Sequence, residues 1–475
     1  NRRGWELVNL FERNGRTMKI IVSGAGQVGF HIARQLSAEQ NDVVVIDQSP
    51  ELVRRVGDAL DVQAFVGFGS HPDVLERAGA ADADMIIAVT YADEVNMVAC
   101  QVAHSLFNVP KKIARVRHQS YRDPIWADLF SRDNMPIDVI ISPEMEVARA
   151  ISRRLKIPGA FESISLVEGK VLMMGVRCNA DCPVINTPLR QLTGLFPDLN
   201  IVVVAISRDG EGIVPSADDQ LLEGDEVYFV ADSTHVSRAM TVFGHEERVA
   251  RRVIIAGGGH IGAFLGEIIE NEHSGVAARI IESNADRAHQ VADLLEGTIV
   301  INGDVIDPEI LDEAGVDESE AIIAVTNDDE TNILASLLAK RFGTERAITL
   351  VNNTTYSPLV NSLGVDVVVS PRAITVSTIL QHVRRGRIKA VHSLLDGFGE
   401  LIEAEILETS GLTGKRIKEA NLPDGVLLGG VVRGDEVIIP RADTVLRVND
   451  RVVLFAQAEA IKAIEDLFAV RLEFF

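Results

Sequence analysis

Short, uniformly apolar runs rich in β-branched residues punctuate the first third of the chain. Ile20-Ile-Val22, Val43-Val-Val-Ile46, Ala64-Phe-Val66, Met85-Ile-Ile-Ala-Val89, Ile113-Ala-Arg-Val116 and Val139-Ile-Ile141 each span three to five positions. Such runs lack the alternation of a strand with one wet face, so they read as strands covered on both sides. Between them the apolar positions recur at helical spacing, as at Leu52, Val53, Val56 and Leu60. Ser49-Pro50 and Pro72 carry the chemistry of helix starts, and a helix over Asp93–Phe107 has its acids in the first turn. A further helix is predicted over 144–155. Strand and helix in strict alternation predict a doubly wound parallel sheet.

The same pattern returns later in the chain. Val253-Ile-Ile-Ala-Gly257-Gly-Gly259-His-Ile-Gly262 answers Ile20-Ile-Val-Ser-Gly24-Ala-Gly26-Gln-Val-Gly29. Ala321-Ile-Ile-Ala-Val-Thr326 answers Met85–Thr90 at a shift of 236 residues, and Asp329-Glu330-x-Asn332 answers Asp93-Glu94-x-Asn96 at the same shift. Ile301-Asn-Gly303-Asp304 matches the turn at Gly67, and Ser370-Pro371 matches Ser142-Pro143. After each α/β half the periodicity changes. Residues 159–244 and 390–475 carry short alternating strands and hairpin turns, and each stretch closes with a helix. The basic segments Arg153-Arg154-Leu-Lys156 and Arg384-Arg385-Gly-Arg387-Ile-Lys389 mark the change.

The predicted fold is therefore α/β: two Rossmann-like doubly wound parallel-sheet domains, each followed by a small α+β lobe, in tandem repeat. The predicted boundaries are an N-terminal extension over 1–17, non-native or disordered; a first Rossmann-like lobe over 18–155; a first small lobe over 156–246; a second Rossmann-like lobe over 247–386; and a second small lobe over 387–475.

Composition narrows the function. The chain of 475 residues carries 46 basic and 69 acidic side chains, a formal charge of −23, which disfavours nucleic acid and anionic lipid as direct partners. No apolar run approaches the ~18–20 residues that span a bilayer. The three cysteines, Cys100, Cys178 and Cys182, are too few for a disulfide framework and suit a reducing compartment. The spacing of Cys178 and Cys182 admits a metal or redox role, but no second pair or nearby histidine completes such a site.

The chemistry concentrates at the glycine turns. Gly24 permits a sharp turn after the first strand. Gly26 lets backbone N–H groups approach a pyrophosphate. Gly29 lets the helix pack closely, and the helix N-terminus at Gln27 faces the phosphates. Asp47 ends the second strand 23 residues after Gly24, near the ~20 expected of the acid that holds a ribose diol. In the second half Gly257, Gly258, Gly259 and Gly262 form the turn, and Glu282 is the acid, 25 residues on. An acid there repels a 2′-phosphate, so NAD(H) is favoured over NADP(H) at the first site, with ATP or ADP satisfying the same ribose contact. Thr90 falls at the carboxyl edge of the fourth strand. Arg115, at the end of the fifth, either neutralises a phosphate or makes a rim ion pair. The second half has Leu350-Val351-Asn352 at that place, so the two sites are not equivalent. No Tyr-x-x-x-Lys, P-loop lysine, Gly-x-Ser-x-Gly elbow or metal cluster accompanies the cradles, and the small lobes offer no substrate cleft. The reading is a nucleotide that is sensed and not consumed. An NAD-dependent oxidoreductase with a duplicated domain, and a scaffold with relic loops, are the competing readings.

The doubled architecture, the Gly24-Ala-Gly-Gln-Val-Gly29 loop with Asp47, and the words Gly67-Phe-Gly-Ser-His-Pro72, Ala80-Ala-Asp-Ala-Asp-Met85, Asp93-Glu-Val-Asn-Met-Val-Ala-Cys-Gln101 and Ser142-Pro143 resemble the regulators of potassium conductance, and among them the cytosolic subunits of bacterial Trk potassium-uptake systems. The resemblance runs from Met18 to the end. It implies a gating subunit and not an enzyme, assembled as a homotetrameric ring on the cytoplasmic face of the inner membrane through an integral-membrane potassium-translocating subunit of the TrkH or TrkG type, without lipid insertion of its own. It implies NAD(H) at the first unit, through Gly24, Ala25, Gly26, Gln27, Val28, Gly29, Asp47, Gly67, Thr90, Tyr91 and Arg115. At the second it implies ATP or ADP, through Gly257, Gly258, Gly259, His260, Ile261, Gly262, Glu282, Gly303, Asp304 and Thr326. Phe68 stands where many relatives carry an acid or amide.

Overall fold

The computed structural model describes residues 17–468 apart from 197–198, 247–248, 354, 384–387 and 409. The expected extension before Met18 and the basic run at 384–387 lie outside the described residues, save Thr17.

In the first α/β half the strands are β1 (Lys19–Ser23), β2 (Asp42–Asp47), β3 (Gln63–Val66), β4 (Met85–Ala88), β5 (Lys111–Arg115) and β6 (Val139–Ile141). The helices between and after them are α1 (Gln27–Ala38), α2 (Pro50–Ala59), α3 (Pro72–Arg77), α4 (Asp93–Phe107) and α5 (Pro143–Lys156). The strands form one sheet in the order β3-β2-β1-β4-β5-β6, with all pairs parallel. Every residue of β4 is buried, as the unbroken apolar run requires of a strand covered on both faces. The Ser49 hydroxyl caps α2 by accepting from Leu52 N, and Pro50 occupies its first turn, as the sequence predicts.

The first small lobe comprises β7 (Ala160–Leu166), β8 (Val171–Arg177), α6 (Leu189–Leu195), β9 (Ile201–Arg208), β10 (Glu211–Ile213), β11 (Glu226–Asp232) and α7 (Val236–Val242). Its sheet runs β10-β9-β11-β8-β7 and is antiparallel throughout. Cys178 and Cys182 are buried free thiols in its apolar core, their sulfurs 3.7 Å apart. Among the described residues no cluster of three or more His, Cys, Asp or Glu is placed to hold a metal.

The second half repeats the plan with β12 (Arg252–Ala256), α8 (His260–Glu272), β13 (Ala277–Glu282), α9 (Ala285–Leu294), β14 (Ile299–Asn302), α10 (Pro308–Glu313), β15 (Ala321–Ala324), α11 (Asp329–Phe342), β16 (Arg346–Leu350), α12 (Ser357–Ser362), β17 (Val367–Val369) and α13 (Pro371–Gln381). The order β14-β13-β12-β15-β16-β17 is that of the first sheet, strand for strand. The last lobe contains β18 (Ile388–Leu394), β19 (Gly399–Glu405), β20 (Val426–Arg433), β21 (Glu436–Ile438), β22 (Arg451–Gln457) and α14 (Ile461–Phe468), in the sheet order β18-β19-β22-β20-β21.

Contacts divide the chain into two compact units that do not follow chain order. Of the described residues, one contains those within 17–142, 375–427 and 440–468; the other contains those within 143–374 and 428–439. Each α/β sheet thus holds a helix that the other half supplies. In the first unit Ile379, Leu380 and Val383, on and just after α13, share an apolar cluster with Ile32, Ala33 and Leu36 of α1. Lys111 Nζ donates to the His382 carbonyl and pins the end of that helix. In the second unit Val147, Ala148, Ile151 and Leu155 of α5 share a cluster with Ala263, Phe264 and Ile269 of α8. There Ser152 Oγ and His273 Nε2, both buried, lie 2.7 Å apart.

Two candidate nucleotide cradles

The first cradle lies where the strand order reverses between β1 and β4, at the carboxyl ends of the strands. Gly24 takes φ +115°, and a Cβ there would stand 3.0 Å from Val89 C and Thr90 N, so both conformation and space demand glycine. Gly29 is demanded more strongly: its Cβ would fall 1.8 Å from the Gly24 carbonyl oxygen. The close approach expected of this residue is thus to the turn itself. Gly26 differs, since a Cβ there meets no protein atom within 4 Å. Its φ of −63° is open to any residue. Nothing in the fold requires glycine at 26.

Asp47 ties this turn to the next helix. Its Oδ2 accepts from Ala25 N at 2.7 Å and its Oδ1 from Ser49 N at 2.8 Å. Each oxygen retains lone-pair capacity for a ribose hydroxyl. Thr90 lies two residues past the end of β4 and is held by Asn96, a fully buried residue of α4. Asn96 Oδ1 accepts from Thr90 N at 2.8 Å and from Thr90 Oγ1 at 2.7 Å, while Asn96 Nδ2 donates to the Thr90 and Arg115 carbonyls at 3.1 and 2.9 Å. Arg115 Nη2 donates to the Thr90 carbonyl at 2.8 Å, across the mouth of the groove. Tyr91 is 85% exposed beside it, with the Arg117 guanidinium 5.5 Å above its ring. Val28 is half-buried and packs against the core. At Gly67 an added Cβ would meet Val74 at 2.8 Å, so this glycine answers to the packing of α3.

The second cradle repeats these contacts. Gly257 has φ +107°, the Gly262 Cβ would fall 1.9 Å from the Gly257 carbonyl oxygen, and Gly259 faces open space within 4 Å. Glu282 Oε2 accepts from Gly258 N and Oε1 from Asn284 N, both at 2.8 Å. Thr326 is held by the buried Asn332 as Thr90 is by Asn96, with Asn332 Oδ1 at 2.8 Å from Thr326 N and 2.7 Å from its hydroxyl. His260 begins α8 and is exposed, Ile261 packs into the core, and Gly303 is required by Ile310, 2.5 Å from its would-be Cβ.

The site also uses residues that the sequence marked only as repeated words. Asn96 and Asn332 fix the loop after the fourth strand of each sheet. Asp93 Oδ2 accepts from Arg117 N and His118 N at 2.9 Å, and the Asp329 carboxylate accepts from Asn352 N and Asn353 N, fixing the loop after the fifth. Their recurrence at one fixed shift was the available sign: a polar pair on a buried helix start returns unchanged when both copies need it to satisfy backbone groups.

Fold and site together define a protein with two Rossmann-type cradles in tandem, each followed by a small antiparallel lobe. The TrkA-N domain family matches residues 20–143 and 253–371, and the TrkA-C domain family matches 173–244 and 401–469. The chain is 53% identical over 458 residues to the Trk system potassium uptake protein TrkA of Azorhizobium caulinodans, covering 96% of this chain and 100% of that protein. It is 40% identical to the protein of that name from Vibrio alginolyticus, over 95% and 98% of the two chains. In architecture it is similar to the GsuK channel bound to NAD, with a TM-score of 0.57, 19% identity and coverage of 96% and 80%. The chain belongs to the TrkA family of Trk-system potassium uptake proteins.

Proposed function

We propose that this chain is the nucleotide-sensing regulatory subunit of a Trk-type potassium uptake system, holding NAD(H) in the first cradle and ATP, ADP or NAD(H) in the second. The observation that carries the reading is the pair Gly26 and Gly259, glycines that face open groove and that the folded chain itself does not need. Asp47 and Glu282, each with both oxygens fixed by backbone N–H groups, are preorganised acceptors for a ribose diol. The nucleotide acts by favouring one of two shapes of the assembly, not by reacting. Assembly as a homotetramer belongs to this reading, and exposed apolar residues matched between the repeats, Val98 and Leu106 on α4 and Leu334 and Phe342 on α11, are candidates for contacts between copies. Ion translocation belongs to an integral-membrane partner of the TrkH or TrkG type at the cytoplasmic face of the inner membrane. Among the described residues no helix is long and apolar enough to cross a membrane.

Calorimetric titration of the full chain with NADH tests the reading. A Cβ at residue 26 meets no protein atom within 4 Å, so Gly26→Val should fill the space in front of α1 with little change in melting temperature and remove the first-site heat. Asp47→Ala is the poorer probe, because it also releases two backbone N–H groups. An NADH isotherm unchanged by Gly26→Val would overturn the assignment.

A further inference from the structure

The first small lobe carries two thiols where the last lobe carries none. Cys178 follows β8 directly, and its backbone is fixed on both sides. Cys178 N donates to the Asp225 carbonyl at 2.8 Å, and Gly224 N donates to the Cys178 carbonyl at 2.7 Å. A tight turn then brings Cys182 back, with Cys182 N donating to the Asn179 carbonyl at 2.9 Å. The two sulfurs end 3.7 Å apart, and both side chains are buried. The last lobe makes the same backbone contacts with other side chains. Ile406 N donates to the Asp450 carbonyl at 2.9 Å, Asn449 N to the Ile406 carbonyl at 2.8 Å, and Ser410 N to the Leu407 carbonyl at 3.0 Å. Ile406 and Ser410 are buried there as the two cysteines are here. The lobe thus folds with an isoleucine and a serine at these places, and building it does not call for a pair of thiols.

Three features separate the pair from cysteines that only fill space. The sulfurs need to approach by less than ~2 Å to reach the ~2.05 Å of a disulfide bond. The residues on either side of Cys178, Arg177 and Asn179, line a cavity of about 250 Å³ together with His245, whose Nε2 lies 3.0 Å from the Arg177 carbonyl oxygen. At ~30 Å³ for a water molecule, that cavity admits a solute the size of hydrogen peroxide to the backbone that carries the pair. The Cys182 thiol is also held below its usual pKa. The hydrogen bond with Cys178 is the main cause, the N–H groups of Val184 and Ile185 and the charge of His245 add to it, and burial opposes them. Thiolate character makes a sulfur nucleophilic. Cys100 is the contrast: it lies in the apolar core of the first α/β half, and burial pushes its thiol up to about 12.

We infer that Cys178 and Cys182 form a peroxide-reactive dithiol, with Cys182 as the attacking sulfur and Cys178 as the resolving one. The Cys182 thiolate attacks one oxygen of hydrogen peroxide, the O–O bond breaks, and hydroxide leaves and takes up the proton that the thiol had released. Cys182 is then a sulfenic acid. The Cys178 sulfur attacks it, the S–O bond breaks, and the departing hydroxyl takes the Cys178 proton as water. Two thiols and one peroxide give one disulfide and two waters; the sulfurs are oxidised by two electrons and the peroxide is reduced by two.

Treatment of the full chain with hydrogen peroxide, followed by tryptic digestion without reductant and mass measurement, tests the inference. Residues 178–190 form one tryptic peptide that contains both sulfurs. Its mass should fall by two hydrogens and be restored by dithiothreitol, while Cys100 stays a thiol. Cys178→Ile, which installs the last lobe's residue, strands Cys182 at the sulfenic acid, where dimedone should label it. Cys182→Ser should leave Cys178 unlabelled. A peptide of unchanged mass, a label on Cys178 and not on Cys182, or oxidation of Cys100 as fast as the pair overturns the inference. The last of these would place the reaction in the unfolded chain. The mass of the peptide and the state of Cys100 are read on the unmodified chain, so both stand whether or not the variants fold.

Discussion

Gly26 and Gly29 stand three residues apart in one turn and answer to different constraints. Gly29 has the Gly24 carbonyl where its Cβ would sit, 1.8 Å away, whereas Gly26 has nothing within 4 Å. Gly29→Ala should therefore cost more than ~3 kcal/mol, the range of severe steric substitutions, and Gly26→Ala should fall within the ~0.5 kcal/mol typical of surface changes. Urea denaturation of the two variants checks this, and comparable losses would contradict it. The glycine pattern was legible in the sequence because a turn leaves a local record. Which glycine serves the fold and which faces the groove was not, since that depends on what stands opposite each Cα. Gly67 and Gly303 show the same gap: the sequence does not reveal that Val74 and Ile310 stand where their Cβ atoms would sit. Asn96 and Asn332 were visible as repeated letters, but their duty of closing backbone groups from two separate strands has no sequence signature.

At the scale of elements, α5 shows how a helix can be foreseen and its seat missed. Its acidic start, basic end and apolar stripe specify an amphipathic helix. The stripe says that one face is buried, not against what. The Ser152–His273 contact holds α5 to the end of α8 and introduces a dependence on pH. Burial, reinforced by the Lys156 ammonium and opposed by Glu272, holds the His273 imidazole below its usual pKa. The folded state therefore takes up its proton at lower pH than the unfolded state, whose histidine titrates near ~6.5. The contribution is complete above that value and is lost as pH falls through it toward the folded pKa. Melting temperature should decline between about pH 7 and pH 5, and His273→Gln should flatten that decline. An identical slope in the variant would remove His273 from the account.

For the whole molecule, the tandem repeat creates a choice that local patterns cannot make. Two closely similar sheets each present a seat, on α1 and on α8, and two similar helices, α5 and α13, can fill them. The strands and the glycine turns follow from short-range patterns, which is why they were readable. The pairing of helix with seat is a long-range outcome. It makes a specific prediction about remote substitutions. Ile379→Ala should cost ~2–5 kcal/mol, as for other large-to-small changes in a core. The loss should appear as faster amide exchange in β1 and α1, more than 300 residues upstream, with β12 and α8 protected as before. Ile151→Ala should do the reverse. Exchange confined to the chain-local half in either variant would contradict the observed clusters.

That reciprocal seating also limits how such a chain can be rebuilt by recombination. A hybrid gene joining the front of one relative to the back of another mismatches two interfaces in a single crossover, because each part lodges a piece of itself in the other. Viable hybrids should therefore carry α5 and α13 with the sheets that receive them, not with the sheets that precede them. Along this chain, the natural breakpoints for inheritance fall inside what a linear reading would draw as a single module.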